Sequence, residues 1–286
     1  MISSRLSDIP KRVRIRDGSF PHALAMSAAG DNENIKPTYF EWCRDNNCDS
    51  SVTFFTDMCL EQVETDNSPR KIGWLIEPNG TLGTHYKVAI RLEKKFDAIL
   101  TYEKDLLNTG RRVYKFYPHG GSWIARDKWG IARKSKEVCI IVSKKKNTYG
   151  QALRHEIVRR FGRMVDVYGR GYNPVQSKFA ALAPYRFAII IESVKRDYYF
   201  TEKLIDCLSV GTIPIYWGCP SIDNFFDARG IIEMRNITEL QEFLATADYR
   251  GIYNNLLPYA QENLKRCDDY WIPENWIARN YTELFR

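Results

Sequence analysis

The sequence predicts an α/β protein made of two Rossmann-like units that face a cleft. Three observations carry that expectation. Short apolar, β-branched runs recur along the 286 residues, and in the second half they alternate with helical patterns. A polar stretch at 127–137, holding Gly130 and four basic residues, separates the halves. Alternation of this kind produces parallel sheets with helices on both faces.

Taken in order, the chain is poorly defined before Ser50, where Asn and Asp cluster and no periodic pattern survives. Runs at 52–55, 72–76, 96–101 and 113–116 read as strands of the first unit. Runs at 138–143, 164–168, 187–191, 213–217 and 231–233 read as strands of the second, with helices expected at 151–161, 201–210 and 238–246. From 256 to 286 the pattern is helical with irregularly spaced aromatic residues. The expected division is 1–130, 131–270 and a helical segment 271–286 packing across both. No internal repeat or low-complexity segment interrupts it.

Composition narrows the class. Hydrophobic residues at 44% and charged residues at 27% suit a globular protein with a real core and exclude a disordered or collagen-like chain. The net charge of +7 admits an anionic partner. Basic clusters at 11–16, 133–136 and 144–146 read first as solvated surface. No zinc knuckle, aromatic RNA-binding signature or basic zipper accompanies them, so no nucleic-acid partner is expected. Seven cysteines at irregular spacing fit reduced, mostly buried thiols better than a disulfide framework. Cys43 and Cys48 lack a second His/Cys pair for a zinc site, and no metal is expected. The N-terminus has no signal-peptide core and no run reaches the roughly 18 residues of a membrane span. A soluble, cytoplasmic protein is the expectation, and sequons at Asn79, Asn236 and Asn280 carry little weight in it.

The chemistry concentrates in residues 185–226, YRFAIIIESVKRDYYFTEKLIDCLSVGTIPIYWGCPSIDNFF. A buried strand ends at Glu192, a polar loop follows, and Thr201 caps a helix whose first turn carries Glu202 and Lys203. Loops leaving the carboxyl ends of parallel strands line the ligand crevice. A helix N-terminus presents free N–H groups and positive dipole, and Lys203 adds a full charge, so a diphosphate fits there. From spacing alone, Glu202 and Lys203 serve equally well as an ordinary capping turn.

The same segment closely resembles the donor-binding signature of the α-1,3/1,4-fucosyltransferases, glycosyltransferase family ten, and is most like bacterial or viral-type soluble members. Their pattern runs Phe-Glu-Asn, a variable loop, Tyr-x-Thr-Glu-Lys, then Pro-x-x-x-Gly. Here it reads Ile191-Glu192-Ser193, Tyr199-Phe200-Thr201-Glu202-Lys203 and Ile213-Pro214-Ile215-Tyr216-Trp217-Gly218. Ile191 and Ser193 depart from it, which bears on the identity of the donor.

The resemblance implies a GT-B-like fold, a nucleotide-sugar donor, a glycan acceptor and an inverting reaction without metal or other cofactor. It assigns Arg154, in Gly150-Gln151-Ala152-Leu153-Arg154, to the donor diphosphate beside Lys203. Ser143 and Lys144, at the end of the strand expected over 138–143, are further phosphate candidates. Glu192, Ser193, Tyr199, Thr201 and Glu202 fall to the nucleotide or the donor sugar. In the first half, Ile72-Gly73-Trp74-Leu75-Ile76-Glu77-Pro78 reads as a strand ending in one carboxylate, and the resemblance makes Glu77 the general base. GDP-fucose is the first donor choice, with UDP-xylose or another UDP-sugar the alternative. A non-catalytic nucleotide- or glycan-binding module is the rival of another class. No Asp-x-Asp occurs, and Tyr168-Gly169-Arg170-Gly171 lacks the third glycine of a dinucleotide fingerprint.

Overall fold

The computed structural model describes residues 6–20, 23–45, 47–78 and 83–286, so the Asn79 sequon lies outside it. The chain forms two compact units. The first takes the described residues up to Ala29, then Glu33–Gly121 and Ile272–Arg286; the second takes Gly30–Asn32 and Ser122–Trp271.

In the first unit, β1 (Arg12–Arg16), β2 (Glu41–Cys43), β3 (Val52–Thr56), β4 (Arg70–Trp74), β5 (Ala98–Thr101) and β6 (Tyr114–Phe116) form one sheet. Its order is β2-β1-β3-β4-β5-β6, and every pairing is parallel. Strands β1 and β2 lie before Ser50, in the stretch where no periodic pattern is readable. In β1, Val13 and Ile15 are buried and alternate with three arginines, so a half-buried strand reads in sequence as a basic cluster. The helix α1 (Gly83–Leu92) was also not expected; Tyr86, Ala89 and Leu92 bury one face of it at three-residue spacing. A short α2 (Lys104–Leu107) leads to β6. Trp74, Tyr102, Tyr117, Phe54 and Phe285 are among the largest fully buried side chains, and the Tyr102 and Tyr117 hydroxyls donate to the Ile76 and Leu75 carbonyls.

The second unit holds β7 (Lys136–Ile141), β8 (Asp166–Tyr168), β9 (Tyr185–Ile191), β10 (Ile213–Trp217) and β11 (Ile232–Glu233), in the order β11-β10-β9-β7-β8 and again all parallel. Between and after them run α3 (Tyr149–Phe161), α4 (Lys178–Leu182), α5 (Glu202–Ser209), α6 (Ile237–Thr246) and α7 (Tyr249–Arg266). The last helix, α8 (Pro273–Asn280), belongs to the first unit, where Glu274 accepts from the Met26 N–H and the Trp42 indole. Side-chain caps start four of these helices: Thr201 for α5, as the sequence reading placed it, and also Thr148 for α3, Ser177 for α4 and Asn236 for α6.

The polar stretch 127–137, expected at the break, lies inside the second unit. Its Gly130 and Ala132 N–H groups donate to the Ser209 and Val210 carbonyls. Lys134 donates to the Ala183 and Val210 carbonyls and to the Thr212 hydroxyl, and burial pushes its ammonium down to about 8. This lysine is part of the packing and not of a solvated patch. Among the described residues no helix is long and apolar enough to cross a membrane. All seven cysteines carry free thiols.

Candidate functional site

Strands β7 and β9 are neighbours, yet the chain leaves them in opposite directions, β7 toward β8 and β9 toward β10. A switch of this kind opens a crevice at the carboxyl ends of the two strands. Most of the residues singled out in sequence converge on the carboxyl end of β9.

Glu192, the first residue past β9, is fully buried. Its carboxylate accepts from the Thr201 N–H at 2.9 Å, the Thr201 hydroxyl at 2.8 Å and the Lys203 ammonium at 3.4 Å. Thr201 Oγ1 in turn accepts from Lys203 Nζ at 2.9 Å and from the Lys203 N–H that it caps. Glu192 is therefore the bracket that holds the start of α5 against the end of β9. The sequence reading placed it on the nucleotide or sugar; the three donors to its carboxylate come from within the chain.

Lys203 also lies 3.3 Å from Glu202, and 27% of its side chain stays exposed. Burial works against its charge, but Glu202 and Glu192 outweigh that cost and hold its pKa above the ordinary lysine value. It is a lysine kept charged at a helix start, with a face still open to solvent.

Arg154, in the second turn of α3, is buried and donates through Nε and Nη2 to the Ile191 carbonyl at 3.0 and 2.7 Å. Burial lowers its pKa, against the pull of Glu192, Glu202 and Tyr199. Close approach of α3 to β9 needs Gly150: its N–H donates to the Ser193 carbonyl at 3.1 Å, and a Cβ there would stand 1.9 Å from the Glu192 carbonyl oxygen. Ser193 thus enters the site through its backbone. Tyr199 is buried beside the same turn. Ser143 and Lys144 are exposed past β7, and Lys144 runs over Gly171; no hydrogen bond joins either side chain to the Lys203 cluster.

Sequence reasoning missed the continuation of this network. Lys178 on α4 bonds Asp206 at 2.7 Å and lies 3.6 Å from Glu202, with its ammonium 4.0 Å from the Trp123 ring centroid. Asp206, fully buried on α5, accepts from the Ser122 hydroxyl and the Trp123 and Ile124 N–H groups. The inward carboxylate of an otherwise apolar helix face was the available signal. A cavity of about 300 Å³ lined by Lys134, Arg186 and Arg250 sits at the opposite, amino end of this sheet, away from these residues.

In the first unit, Glu77 comes three residues after β4 ends at Trp74, not at the strand terminus expected from 72–76. Its position is set by Asp57, which follows β3. Asp57 is buried, has a positive φ of 22°, and accepts from the Ser19 hydroxyl at 2.7 Å, the Ile76 N–H at 2.9 Å and the Glu77 N–H at 3.3 Å. Tyr86 donates to the Glu77 carbonyl at 3.0 Å. The Glu77 peptide is clamped on both sides while its side chain remains partly exposed. His85, in the first turn of α1, has a buried Nε2 with no hydrogen-bond partner among the described residues; burial lowers its pKa and Glu77 raises it. Among the described residues no group of three or more His, Cys, Asp or Glu side chains could hold a metal ion.

Burial pushes Asp57 from 3.8 up to about 6, opposed by the Ser19, Ile76 and Glu77 donors, with the Glu77 charge adding to the rise. The folded chain therefore binds this proton more tightly than the unfolded chain does. Its contribution to stability is complete below pH 3.8 and is lost as pH rises through 6. A shift of this size corresponds to about 3 kcal/mol. Asp57→Asn is expected to remove that slope: the stability difference between wild type and variant, from urea unfolding at pH steps across 4–7, should shift in the variant's favour by up to that amount.

Two parallel α/β units, the second with a charged helix start at its switch point, define a GT-B-like architecture. A solved alpha1,3-fucosyltransferase crystallised with GDP-fucose shares it, with a TM-score of 0.55 at 14% identity over 97% of this chain and 90% of that one. Residues 131–250, within the second unit, match the family model for glycosyltransferase family 10 (fucosyltransferase) C-term. Alpha-(1,3)-fucosyltransferase FucT of Helicobacter pylori is 33% identical over 85 residues, 30% of this chain. Alpha-(1,3)-fucosyltransferase B of Drosophila melanogaster is 33% identical over 143 residues, 47% of this chain. These matches span 18% and 31% of the two relatives' own lengths.

Proposed function

We propose that the protein is an inverting glycosyltransferase that moves a sugar from a nucleotide-sugar donor, GDP-fucose first, to a glycan hydroxyl. The observation that carries this reading is Lys203, held charged at the capped start of α5 by Glu192 at the switch point of the second sheet. A cation at the positive end of the helix dipole suits a diphosphate.

In this reading Glu77 accepts the proton of the acceptor hydroxyl as that oxygen bonds the anomeric carbon. The bond from that carbon to the diphosphate oxygen breaks on the opposite face, and the nucleoside diphosphate leaves with the electron pair. Lys203, and Arg154 through the Nη1 not engaged by the Ile191 carbonyl, offset the growing negative charge without requiring a metal ion. Glu202 and Tyr199 contact the ribose or donor sugar, and the exposed Ser143 and Lys144 border the phosphates. Glu192 acts on the donor indirectly, by fixing Thr201 and Lys203.

A panel of GDP- and UDP-sugars offered with mixed glycan acceptors, read by product mass spectrometry, tests the reaction and the donor. Transfer from GDP-fucose is expected. A clear preference for a UDP-sugar such as UDP-xylose would overturn the fucose assignment, and transfer from no donor would favour a binding module.

A further inference from the structure

The aromatic pair Tyr149–Trp217 is not used by any step above. Tyr149 opens α3, immediately after the Thr148 cap, and is 70% exposed. Trp217 closes β10 and packs partly against the core of the second unit. Their ring centroids lie 5.4 Å apart with planes inclined by 33°. The Tyr149 hydroxyl makes no hydrogen bond among the described residues, so the ring is not held outward by its polar end.

The backbone ties this pair to the Glu192 bracket. Trp217 is in register with Ile191, and its carbonyl accepts from the Glu192 N–H at 2.9 Å. Tyr149 precedes Gly150, which is pressed against the Glu192 and Ser193 carbonyls. Two aromatic side chains from different elements thus flank the residue that positions Lys203, at the carboxyl end of the sheet. One ring is backed by the core and the other is largely open to solvent. An exposed ring supported from behind by a second ring is a stacking surface for a flat, π-faced group. A nucleotide whose phosphates sit at Lys203 carries one such group, its base.

We propose that Tyr149, backed by Trp217, is the platform on which the nucleobase of the donor stacks. This rests on the reading of the second unit as a nucleotide-sugar site and adds the residues that hold the base end. Stacking accepts purine and pyrimidine alike. The platform therefore supplies affinity, and the choice between them falls to polar contacts elsewhere.

Calorimetric titration of the full chain with GDP and, separately, with inorganic pyrophosphate distinguishes the ends of the ligand. Tyr149→Ala should weaken GDP binding by about 5- to 100-fold, the range of one lost base–aromatic stack. Pyrophosphate binding should stay unchanged, and Tyr149→Phe should restore GDP binding. Because Tyr149 is exposed, the alanine variant is expected to fold as wild type. Equal GDP affinity in wild type and Tyr149→Ala, or equal losses for GDP and pyrophosphate, would overturn the proposal while leaving the phosphate site standing. Pyrophosphate binding by wild type without any gain from the base would do the same. If wild type bound neither compound, the nucleotide-sugar reading would fall with it.

Discussion

Replacing Glu192 by alanine is expected to cost the protein about 3–5 kcal/mol of stability, the usual penalty for removing one partner of a buried ion pair. The reason is how many groups that one carboxylate satisfies. It is fully buried and accepts from the Thr201 N–H, the Thr201 hydroxyl and Lys203. Without it, the Thr201 N–H loses its acceptor, and Lys203 keeps Glu202 and the Thr201 hydroxyl against its burial. Arg154 loses a facing negative charge as well. Urea unfolding followed by fluorescence checks this, with Glu192→Gln as the milder companion, since an amide oxygen still accepts from Thr201. A loss below about 1 kcal/mol would place Glu192 among ordinary hydrogen-bonded side chains and not at the centre of a charged bracket.

Glu77→Gln is expected to reduce transfer by about 10²–10⁴-fold, the range for loss of a general base. Nucleotide affinity should hardly change, because the residues assigned to the diphosphate all lie in the second unit. The glutamine keeps the backbone N–H that donates to Asp57 and the carbonyl that accepts from Tyr86, so the loop around it should hold its shape. Rate and affinity thus separate: kcat falls while GDP binding is retained. Transfer at the wild-type rate would remove Glu77 from the chemistry and leave the phosphate site untouched.

The second unit was far more legible in the sequence than the first. Its central strands β9 and β10 are buried along nearly their whole length, so they appear as mostly apolar runs bounded by caps and glycines, and their positions are readable without knowing the fold. Strand β1 fails that test: with Arg12, Arg14 and Arg16 alternating with two buried residues, its charge hides its periodicity. Strand β2 spans three residues and gives no pattern at all. The site divides the same way. Thr201, Glu202 and Lys203 are contiguous and announce a capped helix, whereas Asp57 and Glu77 meet only because β3 and β4 are paired neighbours. Their partnership is a property of the sheet. Glu192 shows a different limit: its residue type and place were evident, but the three donors that hold it come from the turn at Thr201 and Lys203 and are set by how α5 meets β9.

Titration of GDP into wild type and Lys203→Ala, by calorimetry at matched ionic strength, tests most directly whether the end of β9 and the start of α5 hold a nucleotide diphosphate. Binding by the wild type and at least a tenfold loss in the variant, about 1.4 kcal/mol, is the expected result. Equal affinity in the two proteins, or no binding by a folded wild type, would contradict the assignment of Lys203 and of the switch point as the donor site.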